Sequence, residues 1–316
     1  MGYIERTIRP AIGDVAVDAI TSQALERIYV QLRRCRQRCA AVTGARRTSS
    51  PDTKHHCTPL SASTVRQVHA VISGSLDAAV RWEWITANPA RLARKPRQKP
   101  AQPDPPSARD ASRLSHAAFA MDEDWGTLVW LLMTTGMRRG ELVGLRFDRV
   151  DLEDAMLDIR RNWVDGRDKD TKTHQMRRIA LDETTTGLLA AQRARAEERA
   201  TAAGQTFSEH MFVFTGLRSL THDEPYSPNA ISQRYKDMAA RLGIDTHLHS
   251  LRHYSATELL SAGVDLRTVA GRLGHSGGGA TTLRVYAAWN ASADRLAADT
   301  LAQRMPVLAR RAVSRD

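Results

Sequence analysis

His249 and Arg252, in His249-Ser-Leu-Arg252, stand three residues apart at the start of a stretch with helical periodicity. That spacing puts both side chains on one helical face near an N-terminus, where unpaired N–H groups and the helix dipole favour a phosphate. Arg138 and Glu141, in Thr135-Gly-Met-Arg-Arg-Gly-Glu-Leu142, are also three apart, which suits a local ion pair. His275, in Leu273-Gly-His-Ser276, follows a short helix. Tyr286, in Thr281-Thr-Leu-Arg-Val-Tyr286, carries a phenol, a weak nucleophile while its pKa stays near ~10. Lys172, in Thr171-Lys-Thr173, lies beside an extended run. Each alone has an ordinary reading as an ion pair, a core or surface tyrosine, or a solvated turn lysine.

Helices must carry most of these residues. Apolar periodicity predicts a buried helix over 125–135 and another over 138–147. Strands over 156–163 and 175–181 flank Asp165-Gly166 as a hairpin or meander. Helices resume at 184–199, 228–242, 250–262, 266–273 and 281–288, with an amphipathic stretch over 292–304. Upstream, Ser61 or Ser63 can cap a helix with Val65, Val68, Ile72, Leu76 and Val80 on one face, ending near Asn88-Pro89. A shorter helix over 22–34 carries Leu25, Ile28 and Leu32. Between the two parts, five of the twelve prolines fall within 96–106, which excludes a regular helix and favours an extended tether. The expected fold class is a small all-α domain followed by a mainly helical α+β domain with a small antiparallel sheet. The expected division is a helical domain at 1–94, a Pro-rich basic linker at 95–107, the larger domain at 108–290 and a C-terminal helix and tail at 291–316.

Composition limits the partners. The 316 residues include 46 Lys+Arg against 35 Asp+Glu, a net charge of +11, and the length suits two cored domains. No apolar run reaches the ~18 residues of a membrane span, and the N-terminus shows no apolar core of a signal peptide. Three cysteines are sparse and odd in number, which fits a reducing compartment better than a disulfide scaffold. Residues 1–108 hold 17 Lys+Arg and 8 Asp+Glu, net +9, leaving 29 against 27, net +2, for the rest. This asymmetry suggests a polyanion-binding module beside a balanced one.

Taken in order, Arg138, Lys172, His249, Arg252, His275 and Tyr286 form a joint pattern. Here the sequence resembles the tyrosine recombinase (phage integrase) family, whose signature is Arg, a β-hairpin Lys, His-x-x-Arg, His and a late Tyr. The contexts Thr-Gly-Met-Arg, Lys-Thr before Arg-Arg-Ile, His-Ser-Leu-Arg-His, Leu-Gly-His-Ser and Thr-Thr-Leu-x-x-Tyr match as well. Residues 63–89 look like the last helix of the family's core-binding domain. The run from Gly274 to Trp289 looks most like integrases of actinobacterial phages and integrative elements.

The resemblance implies site-specific recombination through a 3′-phosphotyrosyl ester, with Tyr286 as nucleophile and Arg138 and Arg252 clamping the phosphate. Lys172 would protonate the leaving 5′-oxygen, His249 would accept the tyrosine proton, and His275 would donate a hydrogen bond to the phosphoryl group. It implies no metal, ATP or other cofactor. It also implies a cytoplasmic bacterial protein at the nucleoid, monomeric when free and a homotetramer on double-stranded recombination sites, with no membrane role. The 292–304 segment would dock on a neighbouring protomer or pack on its own domain. Arg33, Arg34, Arg36, Arg38, Arg94, Lys95, Arg97 and Lys99 are the candidates for DNA-backbone contacts.

Two features depart from the family pattern. His275 to Tyr286 spans eleven residues and contains Gly277-Gly-Gly279, a flexible connection that would deliver the tyrosine on assembly. Residues 4–13 look like the middle of the core-binding region's first part, so either the usual accessory arm-binding domain is absent or the chain is shortened at its N-terminus. Cys35, Cys39, His55 or His56, and Cys57 offer ligand types that suit tetrahedral zinc. Their spacing fits no standard finger, so thiols in a basic loop are the preferred reading over a metal site. The alternatives to an integrase are a chromosome-dimer resolvase or type IB topoisomerase with the same chemistry, a catalytically retired or truncated DNA-binding relative, and a generic basic helical binding module.

Overall fold

The structure is a computed structural model that describes residues 2–39, 56–98, 103–164, 166–170, 176–216, 219 and 223–275. Lys99, Lys172, Tyr286 and the helices expected at 281–288 and 292–304 lie outside the described residues. The chain forms two compact units, Met1–Pro100 and Ala101–Asp316.

The first unit is all-α. Its helix α1 (Ser22–Leu32) starts where Thr21 Oγ1 accepts from Ala24 N at 3.1 Å, satisfying a donor that the first turn leaves open. Helix α2 (Ala62–Arg81) is capped likewise by Ser61, whose Oγ accepts from Thr64 N at 3.1 Å. Leu25, Ile28, Tyr29 and Leu32 of α1 meet Val65, Val68, Ile72 and Leu76 of α2, and Ala90 and Ala93 close the core. α2 ends at Arg81 rather than near Asn88-Pro89. The Trp82 and Glu83 amides fold back on Ala78 and Val80 while Glu83 takes a left-handed φ of 59°, so the chain leaves the helix axis. Asn88 then pins the returning segment, its Nδ2 donating to Ser73 O at 2.9 Å and Asp77 Oδ1 at 2.8 Å.

The second unit is a mainly helical α+β domain. Helix α3 (Ala108–Met121), which the apolar pattern did not announce, is capped by Ser107 Oγ from Asp110 N at 3.1 Å. Helix α4 (Glu123–Thr135) is capped by Asp122 and buries Trp125, Leu128, Val129, Leu131 and Leu132. Helix α5 (Arg139–Val143) stops at Gly144, short of the expected 147, because the following residues pair elsewhere. Phe147 N donates to Met211 O at 3.2 Å and Val213 N to Leu145 O at 2.9 Å.

Strands β1 (Val150–Asp151), β2 (Met156–Ile159), β3 (Arg161–Val164), β4 (Arg167–Asp170) and β5 (Arg177–Ala180) form two antiparallel sheets. One has the order β1-β2-β5, with Met156 opposite Ala180 and Ile159 opposite Arg177. The other is the β3–β4 hairpin around Gly166, whose φ of 72° a glycine adopts without penalty. The strand expected over 156–163 is thus two strands broken at Arg160, and its first half alone pairs with β5.

Helices α6 (Glu183–Ala202), α7 (Pro228–Arg241), α8 (Leu248–Ser261) and α9 (Leu266–Leu273) complete the domain. Leu157, Ile159 and Ile179 from the sheet join Leu142, Leu189, Val213, Tyr235 and Leu251 in one core. A small cluster of Ala256, Val269 and Leu273 packs α9 on α8. Among the described residues no helix is long and apolar enough to cross a membrane.

Candidate active site

The site is assembled where two helices end. The last carbonyls of an α-helix have no partner within it and carry the negative end of its dipole. Here arginines supply the missing donors. α4 terminates on Gly136, left-handed at φ 62°, which turns the Gly136 carbonyl outward to accept from Arg252 Nη1 at 2.5 Å. Arg252 Nη2 donates to Leu273 O, at the end of α9, at 2.7 Å. A Cβ on Gly136 would meet Leu273 Cδ2 at 2.5 Å, so the close approach of the two helix ends needs glycine there. Arg272 fastens the same junction from the other side, donating to Ala180 O and Thr134 O, each at 3.0 Å.

Arg138, at the start of α5, reaches the neighbouring carbonyl of α9, its Nη2 donating to Gly274 O at 2.7 Å. Glu141 is the expected local partner and does more than pair locally. Its Oε1 accepts from Arg138 Nη1 at 2.9 Å, and its Oε2 accepts from the Arg138 amide at 2.7 Å. It also takes a two-pronged bond from Arg177 of β5, Nη1 at 3.0 Å and Nη2 at 2.7 Å. The Glu141 and Arg177 side chains are 1% and 9% exposed, so this is a buried pair. Burial works against the Glu141 carboxylate, but the Arg177 and Arg138 bonds outweigh it and hold its pKa below the ordinary value. Arg177 Nε donates to Arg272 O at 2.9 Å, which ties β5 to the same helix end.

Three guanidinium charges, Arg138, Arg177 and Arg252, stand against the single Glu141 carboxylate, leaving a net of +2 in this group. The two histidines add no charge at neutral pH. His249, on the first turn of α8, is open to the cleft at one edge and packs edge-on against His253 at 4.9 Å between ring centroids. Burial of its flanks, then the nearby His253 and Arg252, push its pKa down to about 4. His275 is half-buried after the left-handed Gly274, and burial with Arg252, Arg138 and Arg177 pushes it down to about 4 as well.

The direction of these shifts sets a pH dependence. Both folded values lie below the ordinary 6.5, so the unfolded chain binds more protons as pH falls through that range. The stability they contribute is complete above 6.5 and is lost as pH drops toward about 4. The thermal midpoint is expected to fall across that window, with a shallower fall in a His249→Asn/His275→Asn double variant. Identical slopes for the two proteins would contradict this.

Arg138, His249 and Arg252 line one cleft of ≈ 1570 Å³, together with Arg139, Trp163, Ser232 and Lys236. The structure therefore brings Arg138, His249, Arg252 and His275 together; Lys172 and Tyr286 lie outside the described residues. Arg177 was missed by sequence reasoning. It shares the inward face of β5 with buried Ile179, and an arginine on the inward face of a strand is the available signal.

Among the residues expected at DNA, Arg33, Arg34, Arg36, Arg94, Lys95 and Arg97 are exposed, whereas Arg38 is half-buried. Arg38 donates from Nε to Gln31 Oε1 at 2.8 Å and from Nη1 to Pro10 O at 3.2 Å. Arg33 Nη1 donates to Leu60 O at 2.6 Å, so both arginines commit donors to their own domain.

Fold and site together define an α+β domain in which arginines held by two helix ends line an open cleft. Residues 108–292 match the sequence model of the phage integrase family, and the chain belongs to that family. Tyrosine recombinase XerC of Alcanivorax borkumensis is 29% identical over 180 residues, covering 54% of this chain and 52% of that protein. Tyrosine recombinase XerC of Chlamydia muridarum is 24% identical over 229 residues, covering 71% of this chain and 66% of that protein. The chain thus spans about half to two thirds of these curated relatives. The Tn1549 transposon integrase in complex with transposon right end DNA has a similar fold, with a TM-score of 0.68 at 16% identity over 95% of this chain and 92% of that one. A lambda integrase dimer bound to a COC' core site has a TM-score of 0.62 at 17% identity, covering 92% of this chain and 72% of that one.

Proposed function

We propose that this protein is a site-specific recombinase that breaks and rejoins DNA through a 3′-phosphotyrosyl intermediate, serving integration and excision of a phage or mobile element. The observation that carries the reading is the gathering of Arg138, His249 and Arg252 along one positively charged cleft, with His275 close to Arg252 and Arg138. A phosphodiester turning into a pentacoordinate transition state gains charge on its non-bridging oxygens, and guanidiniums fixed in advance stabilise that charge without reorganising. Arg138 and Arg252 take this role. Their other donors are engaged by the carbonyls of Gly274, Gly136 and Leu273, which holds them in place.

The Tyr286 oxygen attacks phosphorus, the bond to the 5′-oxygen breaks, and Lys172 supplies the proton that the departing hydroxyl needs. His249, neutral at pH 7, accepts the phenolic proton, and His275 donates a hydrogen bond to the phosphoryl group. In the second step the 5′-hydroxyl of a partner strand attacks the ester and releases Tyr286. Because the ester retains the bond energy, neither ATP nor a metal is required. The protein works on duplex sites at the nucleoid, as a tetramer, with the exposed arginines of the first unit on the DNA backbone. The run from Gly274 to Trp289 supports a mobile-element role. The XerC relatives favour a second reading, resolution of chromosome dimers by the same chemistry.

A plasmid carrying two copies of the host-element junction sequence tests the proposal. The expected result is deletion or inversion between the sites without added metal or nucleotide. Relaxation without exchange would indicate a topoisomerase, and binding with neither outcome would indicate a retired relative.

A further inference from the structure

The first unit gathers three sulfurs that the proposed reaction does not use. After α1 the chain turns so that Cys35 N donates to Gln31 O at 2.8 Å. The returning segment is fastened alongside by Arg36 N to Thr58 O at 2.8 Å and Leu60 N to Leu32 O at 2.9 Å. These backbone bonds bring Cys57 back to Cys35 and Cys39, across a long separation in sequence. The three Sγ atoms lie within 4.8 Å of one another, and those of Cys39 and Cys57 are 3.6 Å apart. That is far longer than a disulfide at about 2.05 Å. It is close to the ~3.8 Å edge of a tetrahedron with Zn–S bonds of ~2.3 Å. Cys35 is buried, Cys39 half-buried and Cys57 exposed, so an ion held by all three would sit at the edge of the domain, backed by its core.

We propose that Cys35, Cys39 and Cys57 hold a zinc ion. His56, exposed and directly before Cys57, does not join the sulfur cluster, so the fourth position is open to water or another small donor. Three thiolates supply three corners of the tetrahedron that zinc prefers. Such a centre carries a net charge of about −1, which the flanking Arg33, Arg34, Arg36 and Arg38 offset. The ion ties the two ends of the 40–56 segment together and fixes the turn from which these arginines project. The ligand spacing matches no standard finger because the site is closed by the backbone pairing of two chain segments rather than by one compact motif. The preference for plain thiols, read from the spacing alone, is replaced by this reading. It does not depend on the recombinase proposal.

The test uses the full chain, purified under reductant without chelators. Elemental analysis is expected to find about one zinc per chain, released in step with thiol modification by a mercurial. Cobalt exchanged into the protein is expected to give thiolate-to-metal charge-transfer absorption and intense tetrahedral d–d bands. A Cys39→Ser/Cys57→Ser variant, altered only outside the buried core, is expected to keep its helical circular dichroism and lose the zinc. Wild-type protein that binds neither zinc nor cobalt would overturn the proposal, as would full zinc in the cysteine variant or a Cys39–Cys57 disulfide in anaerobically purified protein.

Discussion

Replacing Glu141 with alanine is expected to lower the unfolding free energy by about 3–5 kcal/mol and to abolish measurable strand cleavage. The carboxylate is almost fully buried and accepts four hydrogen bonds, two from Arg177 and two from Arg138. Alanine leaves the Arg177 guanidinium, itself 9% exposed, with its charge buried and its main acceptor gone. It also frees Arg138 from the position that α5 and Gly274 define. Glutamine keeps the shape and one acceptor oxygen, so its loss is expected to be smaller. Urea denaturation would read both variants as shifts in midpoint at unchanged slope. A loss below about 1 kcal/mol for the alanine variant would mean that Arg177 finds water and that the buried pair is not what holds the site.

The second large effect is expected at Arg252. Its guanidinium is 4% exposed with its residue and bridges the Gly136 and Leu273 carbonyls, at the ends of α4 and α9. Arg252→Ala leaves both buried acceptors without this donor, at a cost of about 1–3 kcal/mol each. In the proposed reaction it also removes a donor to the transferring phosphate, worth about 10²–10³ in cleavage rate. Arg252→Lys separates the two roles. The lysine retains the charge but cannot span two carbonyls and a phosphate with one planar fork. Its cleavage rate is therefore expected to fall well below wild type while stability is partly recovered. Equal cleavage by the lysine variant and wild type would show that charge alone matters and that the fork geometry does not.

Much of the fold was legible where a local signal stood beside the element it controls. α9 was read with the bounds it has, because Asp265 accepts from Arg267 N and Thr268 N at one end and Gly274 turns left-handed at the other. For α2 the sequence offers Ser61 or Ser63 as the cap and the structure selects Ser61, while the end falls earlier than the periodicity predicts, because nothing in Trp82-Glu-Trp84 announces a left-handed Glu83. α3 was overlooked. Its buried stripe is largely Ala111, Ser115 and Ala118 around Leu114, too faint as a periodic pattern. The sheet was misdivided at Arg160, since a change of strand partner leaves no glycine or proline behind it.

The candidate site divides along the same line. Arg138, His249, Arg252 and His275 could be picked out because their ordered contexts resemble a known pattern. The role of Glu141 as a bridge to Arg177 could not, since the two are 36 residues apart and meet only when β5 passes α5. The three sulfurs are a similar case. Their proximity follows from backbone bonds joining Arg36 to Thr58 and Leu32 to Leu60, which no spacing rule encodes.

The central claim is that the arginine-clamped cleft serves transfer of a DNA phosphodiester to Tyr286. A nicked suicide duplex of the cognate site, incubated with the full chain and run on a denaturing gel, measures that transfer directly. The account predicts a covalent protein–DNA adduct without added metal or nucleotide, absent in Tyr286→Phe although that variant binds the duplex as tightly. Tight binding by wild type with no adduct, or an adduct that persists in the phenylalanine variant, would contradict it.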